Sequence, residues 1–223
     1  MACGGNAKKQ TENKEAAQVN KETSTTENVQ MRQIGSLKVT CLKDNAGDKR
    51  MPLTLFGDVP QHLVDSLGVQ QGVPSSVSTF LVETEGLRIL FDTGVGAPDS
   101  QLLAGLKSAG VSPADVTHLY LTHFHGDHIG GMMKGDSVVF PKAEVYVSKN
   151  EYDAWMAMPD PKKEQVVRTM EAYKARLHLV NFGDTLPGEF VVLEAIGHTP
   201  GHTVYQSGKL LIAGDLMHGA ALQ

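Results

Sequence analysis

His123, His125, Asp127 and His128 lie within six residues, in the run Thr122-His-Phe-His-Gly-Asp-His-Ile-Gly-Gly131, and His202 and Asp215 follow further along the chain. Imidazole and carboxylate donors in one short run suit Zn²⁺ or another borderline divalent ion, whereas a dedicated Mg²⁺ or Ca²⁺ site is built mostly from oxygen. Zinc is the metal this donor set predicts. The spacing adds a second point. In an alternating backbone His123 and His125 face the same side and can meet one ion, while the adjacent Asp127 and His128 must diverge, which suits a second ion. Together the six side chains supply the parts of a paired metal site.

The elements that must position them can be read from periodicity. Val116-Thr-His-Leu-Tyr-Leu-Thr122 mixes β-branched, aromatic and aliphatic residues and predicts a buried strand that ends where the histidine run begins. Gly126, Gly130 and Gly131 then permit a tight turn and close backbone approach. Strands are expected at 36–43, 77–84 and 87–91, the last two joined by a turn at Glu85-Gly86, and again near 137–140, 144–147, 191–196 and 209–213. Leu102, Leu103 and Leu106 have helical spacing over 99–109, with Asp99 or Ser100 as cap and Gly110 as stop. A short helical turn follows at Ser112-Pro113, and two helices are expected over 149–156 and 161–177, the second with Pro161 in its first turn. Strands and helices alternate in both halves, which makes this an α/β (α+β) chain with its chemistry at strand ends. Asp92, at the end of the 87–91 strand, is placed either to orient a ligand histidine or simply to cap a turn.

Composition sets the outer bounds. At 223 residues and 41% hydrophobic the chain can bury a real core. A formal charge of -5, with no Lys/Arg stripe, argues against binding a nucleic-acid backbone. Two cysteines, Cys3 and Cys41, are too few for a disulfide scaffold, and Cys41 reads as a small core hydrophobe. Residues 1–30 are Asn, Gln, Lys, Glu and Thr with almost no large apolar side chain, so they predict a disordered polar tether ahead of a domain over 31–223. The start Met1-Ala-Cys-Gly-Gly5 resembles the mature start of a bacterial lipoprotein, which implies a lipid anchor at Cys3 and a place in the cell envelope, lipid-anchored or periplasmic. A cytoplasmic protein with a frayed end is the alternative.

Three ordered motifs, Thr122-His-Phe-His-Gly-Asp-His-Ile-Gly-Gly131, Gly197-His-Thr-Pro-Gly-His-Thr203 and Ala213-Gly-Asp215, resemble the successive signatures of the metallo-beta-lactamase superfamily. That resemblance implies an αββα sandwich of two mixed β-sheets flanked by helices. It implies that His123, His125 and His202 bind a first metal, that Asp127 and His128 bind a second, and that Asp215 bridges both; His198 matches a position that is structural. The family usually supplies a further histidine from a loop well beyond the Asp215 strand, together with more strands and a last helix. Only His218 follows Asp215 here, so the domain is expected to be incomplete at its C-terminus, to continue past Gln223 or to be completed by another chain, with a homodimer as one solution.

Within the superfamily, Gly214-Asp-Leu-Met-His-Gly-Ala-Ala-Leu-Gln223 is similar to the corresponding stretch of methyl parathion hydrolase and lactonase-like members. The function implied is a binuclear hydrolase in which water or hydroxide between two metal ions cleaves an ester-like bond of a small-molecule lactone, phosphotriester or related substrate. Beta-lactamase activity is the alternative within that chemistry, and a non-catalytic metal-binding or interaction protein the alternative outside it. Asp127 and Asp215 are the catalytic candidates, Asp127 as acceptor of the water's proton. Phe124, Trp155 and Met217 are candidates for an apolar pocket wall, which favours an acyl chain or aromatic leaving group.

Overall fold

In the computed structural model, which describes residues 25, 26 and 28–217, the alternating segments form sheets whose ends converge on the histidine run. The strands are β1 (Thr25–Thr26), β2 (Val29–Ile34), β3 (Leu37–Lys43), β4 (Lys49–Met51), β5 (Val73–Ser75), β6 (Ser78–Thr84), β7 (Leu87–Phe91) and β8 (His118–Tyr120). They continue as β9 (Met133–Lys134), β10 (Ser137–Val138), β11 (Glu144–Ser148), β12 (Leu177–Val180), β13 (Thr185–Leu186), β14 (Phe190–Glu194), β15 (Thr203–Ser207) and β16 (Leu210–Ile212). The α-helices are α1 (Gln61–Leu67), α2 (Leu102–Ser108), α3 (Gly126–Ile129), α4 (Lys149–Met156) and α5 (Glu164–Tyr173).

The fold is a sandwich of two β-sheets with helices outside. The larger sheet has eight strands in the order β1-β2-β3-β6-β7-β8-β11-β12. It is mixed: the N-terminal strands form an antiparallel meander, and β7, β8, β11 and β12 run parallel through helical crossovers. The smaller sheet, β13-β14-β15-β16, is antiparallel throughout. Alternation along the central strands gives each sheet face its own core. Leu42, Leu81, Leu90, Leu119 and Val145 pack against Leu102 and Leu106 of α2 and Val166, Met170 and Tyr173 of α5. On the opposite face Val39, Val82, Ile89, Phe91 and Tyr120 meet Phe190, Val192, Tyr205 and Ile212 of the smaller sheet, with Phe91 in contact with the Tyr120, Phe190 and Tyr205 rings.

Some expectations shift. The boundary at residue 31 falls inside β2: Val29 pairs with Leu42 and packs on the helix-side core, so burial extends the domain into the polar segment. Residues 1–24, with Cys3, and His218 lie outside the described residues. The cap of α2 is neither Asp99 nor Ser100; the buried Asp44 carboxylate accepts the Leu102 N–H at 2.9 Å from 58 positions away, with Ser100 Oγ donating to it as well. The second late helix begins at Glu164, after turn bonds from Lys162 N–H to Pro159 and from Glu164 N–H to Pro161. It stops short of Leu177, because Leu177 pairs with Val145 as a strand. Among the described residues no helix is long and apolar enough to cross a membrane.

Candidate metal centre

The C-terminal ends of the parallel strands deliver the chemistry to one place. Asp92 follows β7, the histidine run follows β8, Ser148 ends β11, and the smaller sheet adds His202 just before β15 and Asp215 just after β16. Close packing of backbone fixes the run. A Cβ on Gly130 would lie 2.0 Å from Val95 O, and one on Gly131 2.0 Å from Thr93 O, so both positions need glycine.

Two groups of donors converge within 4.8 Å: His123, His125 and His198, and His123, His128 and Asp215. In the first, His125 Nδ1 is 2.9 Å from His123 Nε2 and 2.9 Å from His198 Nε2. In the second, His128 Nε2 stands 3.2 Å from Asp215 Oδ1. The Asp215 carboxylate lies between the groups, its other oxygen 3.3 Å from His198 Nε2. His123 belongs to both groups and is fully buried.

His202, not His198, was expected beside His123 and His125. Its ring centroid lies 5.1 Å from that of His123, in the same cluster, and its Nε2 accepts the Asp215 N–H at 3.0 Å. With Nε2 accepting, the ring proton sits on Nδ1, which is buried without a hydrogen-bond partner among the described residues. Asp127 stands apart: its side chain is 45% exposed and its carboxylate is 3.8 Å from His128 Nε2, within reach of the centre but in neither group.

Electrostatics distinguish the histidines. Burial, reinforced by the nearby His128 charge, holds the His123 imidazole in its neutral form far below the usual histidine pKa, and burial lowers that of His202. Burial works against the His128 charge too, yet the Asp92 and Asp215 carboxylates outweigh it and push its pKa up to about 10. Asp215 would be raised by burial, but hydrogen bonding to His128 and its charge hold the carboxyl well below the usual range. The donor set fits a divalent cation: three imidazoles in one group, two imidazoles and a carboxylate in the other, with His128 giving up a proton when a cation binds.

Asp92 takes the orienting role, its carboxylate bonds reaching Thr122 and His128, 30 and 36 residues on and outside its own turn. Its Oδ1 accepts Thr122 N–H, and its Oδ2 accepts Thr122 Oγ1–H and His128 Nδ1–H, each at 2.8 Å. It does so from a left-handed backbone (φ 58), uncommon outside glycine but open to Asp and Asn. Asp92→Asn keeps that backbone and loses an acceptor, so cation affinity at the His128 group should fall by about 10- to 100-fold. Calorimetric titration with Zn²⁺ reads this directly; unchanged affinity would reduce Asp92 to a tie holding the Thr122 backbone.

The pocket expectations divide. Phe124 is buried in the helix-side core, because its side chain points away from the histidines, and it forms no pocket wall. Trp155 does line a cavity of about 340 Å³ with His125, Met158, His198 and Pro200. Met217 lines a larger one of about 820 Å³ on the other side of the centre, with Asp127, His128 and Asp215 at its floor and Lys43, Lys49 and Arg50 among its walls. Sequence reading missed Glu151, a fully buried carboxylate in α4 that accepts the Phe124 N–H at 2.9 Å. A glutamate in the first turn of a helix is ordinary on sequence grounds, and nothing there signals its burial.

The metallo-beta-lactamase superfamily model matches residues 72–221. Among curated relatives, lactamase-like protein aptB of Emericella nidulans is 30% identical over 178 residues, 75% of this chain and 50% of that protein. Metallo-beta-lactamase domain-containing protein 1 of Xenopus laevis is 42% identical over 69 residues, 31% of this chain and 26% of that protein. The chain thus spans half or less of the length of these curated relatives. Among solved structures, the hydrolase AbOPH of the beta lactamase superfamily superposes with a TM-score of 0.77 at 28% identity, over 87% of this chain and 76% of that one. AidC, a dizinc quorum-quenching lactonase in complex with a product, N-hexnoyl-L-homoserine, superposes with a TM-score of 0.72 at 28% identity, over 82% and 72%.

Proposed function

The chain belongs to the metallo-beta-lactamase superfamily, and from that premise we propose that it is a two-metal hydrolase, zinc-loaded, that opens small lactones or cleaves related esters and phosphotriesters. The observation that carries this reading is the Asp215 carboxylate set between two converging donor groups that share His123. Similarity to a dizinc lactonase over most of both chains supports the lactone as first substrate.

His123, His125 and an imidazole of the His198–His202 loop would hold one ion, and His128 and Asp215 the other, since a neutral imidazole has one free lone pair and His123 can serve only one of them. Bound there, the ions supply Lewis-acid polarisation of the scissile carbonyl or phosphoryl oxygen and lower the pKa of the attacking water. The remaining work falls to the chain's own groups. Asp92 fixes the His128 ring through Nδ1, leaving Nε2 turned to the centre. Asp127, half exposed beside the centre and outside both groups, is free to take the water's proton on a carboxylate oxygen and return it to the leaving alkoxide. Trp155, Met158 and Pro200 give an apolar shelf beside His125 for an acyl chain.

The direct test is hydrolysis of N-hexanoyl homoserine lactone and an aryl phosphotriester by the chain loaded with two equivalents of Zn²⁺. Turnover of the lactone that disappears with chelator and returns with metal is the expected result. Two bound ions with no turnover of either substrate would overturn the reading. Asp127→Asn should keep both ions and lower kcat by about 100-fold or more, the range of general acid–base assistance. Loss of an ion in that variant would make Asp127 a ligand instead.

A further inference from the structure

Glu151 sits in the first turn of α4, fully buried, with hydrogen bonds to two separate loops of the centre. Its Oε1 accepts the Phe124 N–H at 2.9 Å, inside the His123–His128 run, and the Trp155 indole N–H at 2.7 Å. Its Oε2 accepts the Thr199 hydroxyl at 2.8 Å and the Gly201 N–H at 2.8 Å, in the loop that carries His198 and His202. A buried carboxylate that satisfies four donors is a strong tether, since charge-assisted hydrogen bonds are roughly twice as strong as neutral ones. The same junction is closed sterically: a Cβ on Gly201 would lie 2.0 Å from Glu151 N, and Ser148 Oγ, which caps α4 by accepting the Glu151 N–H, donates to Gly201 O at 2.7 Å.

We propose that Glu151 is a positioning residue of the metal centre, clamping the His123–His128 run to the His198–His202 loop so that the imidazoles of that loop reach His123 and His125. The proposal rests on the two-metal reading above. Neither loop alone brings those rings together, since His123 and His125 follow β8 in the larger sheet while His198 precedes β15 in the smaller one. Among the Glu151 contacts, the single carboxylate spans the gap, one oxygen to each loop.

The chemistry of the four donors predicts an asymmetric response. In Glu151→Gln one acceptor oxygen becomes an NH₂ donor. The Phe124, Trp155 and Gly201 N–H groups can only donate, whereas the Thr199 hydroxyl can turn and accept. The amide therefore keeps its oxygen on Phe124 and Trp155 and sets its NH₂ toward Thr199 and Gly201, which releases the His198 loop and leaves the His123–His128 run held. One ion of two should then weaken.

Titration of the apo chain with Co²⁺, read by its visible spectrum, and competition of Zn²⁺ against a chelator give the affinity of each site without reference to turnover. Parent protein should bind two ions. Glu151→Gln should bind one with parental affinity and the other about 10- to 100-fold more weakly, the range for lost support behind a ligand. Thr199→Val, which deletes one donor and keeps the buried charge, should weaken the same ion by a smaller factor and stands in if Glu151→Gln does not fold. Parental affinity at both sites in whichever variant folds, or equal loss at both in step with a falling melting temperature, would overturn the proposal. Two ions bound with no hydrolysis would sink the functional reading instead, and the titration would still decide the role of Glu151.

Discussion

His123→Ala is expected to lose the ion that His123 and His125 hold together and, with it, all measurable hydrolysis. The side chain belongs to both donor groups, and its ring is central to the cluster, with centroids 4.6 Å from His125, 3.9 Å from His128 and 4.7 Å from His198. Burial keeps it neutral, the form a cation needs. Removing a group that supports a ligand costs about 10- to 100-fold in affinity, and removing the ligand itself should exceed that at its own site. His198→Ala tests which loop imidazole completes that site: an ion lost assigns His198, and an ion kept assigns His202. Metal content by mass spectrometry, beside lactone turnover, distinguishes the two variants. Two ions retained by His123→Ala would remove His123 from the ligand set, and two ions retained by His198→Ala would make His202 the third imidazole.

The parts of the site closest in sequence were the most legible. His123, His125 and His128 lie in one short run, so their nearness is readable from spacing, although the run turns into α3 at Gly126 instead of alternating and brings the His123 and His128 rings within 3.9 Å. The helix over 149–156 was equally plain, because Ser148 caps it locally, accepting the Glu151 N–H at 3.1 Å. What failed depended on contacts across the fold. Spacing gives no sign that the Asp215 N–H reaches His202 Nε2 or that His198 Nε2 comes within 2.9 Å of His125. Asp44 caps a helix 58 residues on, and Phe124 lies within a polar run yet faces the helix-side core. Glu151 is the clearest case: its neighbours Phe124, Thr199 and Gly201 are 27 to 50 residues away, and a surface-type residue becomes buried only because four donors meet there.

Gly130→Ala is expected to destabilise the chain more than any surface change, by about 3 kcal/mol or more, at the upper end of overpacking costs. The added Cβ would stand 2.0 Å from Val95 O and 2.5 Å from Val95 C, which are backbone atoms without a rotamer to escape into. The facing glycine cannot yield either, since a Cβ on Gly96 would meet Gly130 O at 2.1 Å. Between these segments run the Gly131 N–H bond to Gly94 O at 3.2 Å and the Thr93 N–H bond to His128 O at 2.7 Å, so separating them also pulls Asp92 away from His128. At this chain length that loss corresponds to a fall in melting temperature of about 6–12 °C. Thermal unfolding beside Zn²⁺ titration checks both consequences. The His128 group should weaken along with the fold, whereas a Gly130→Ala protein that melts with the parent and binds both ions would mean the two segments can part without cost, removing close backbone packing as the reason for this glycine.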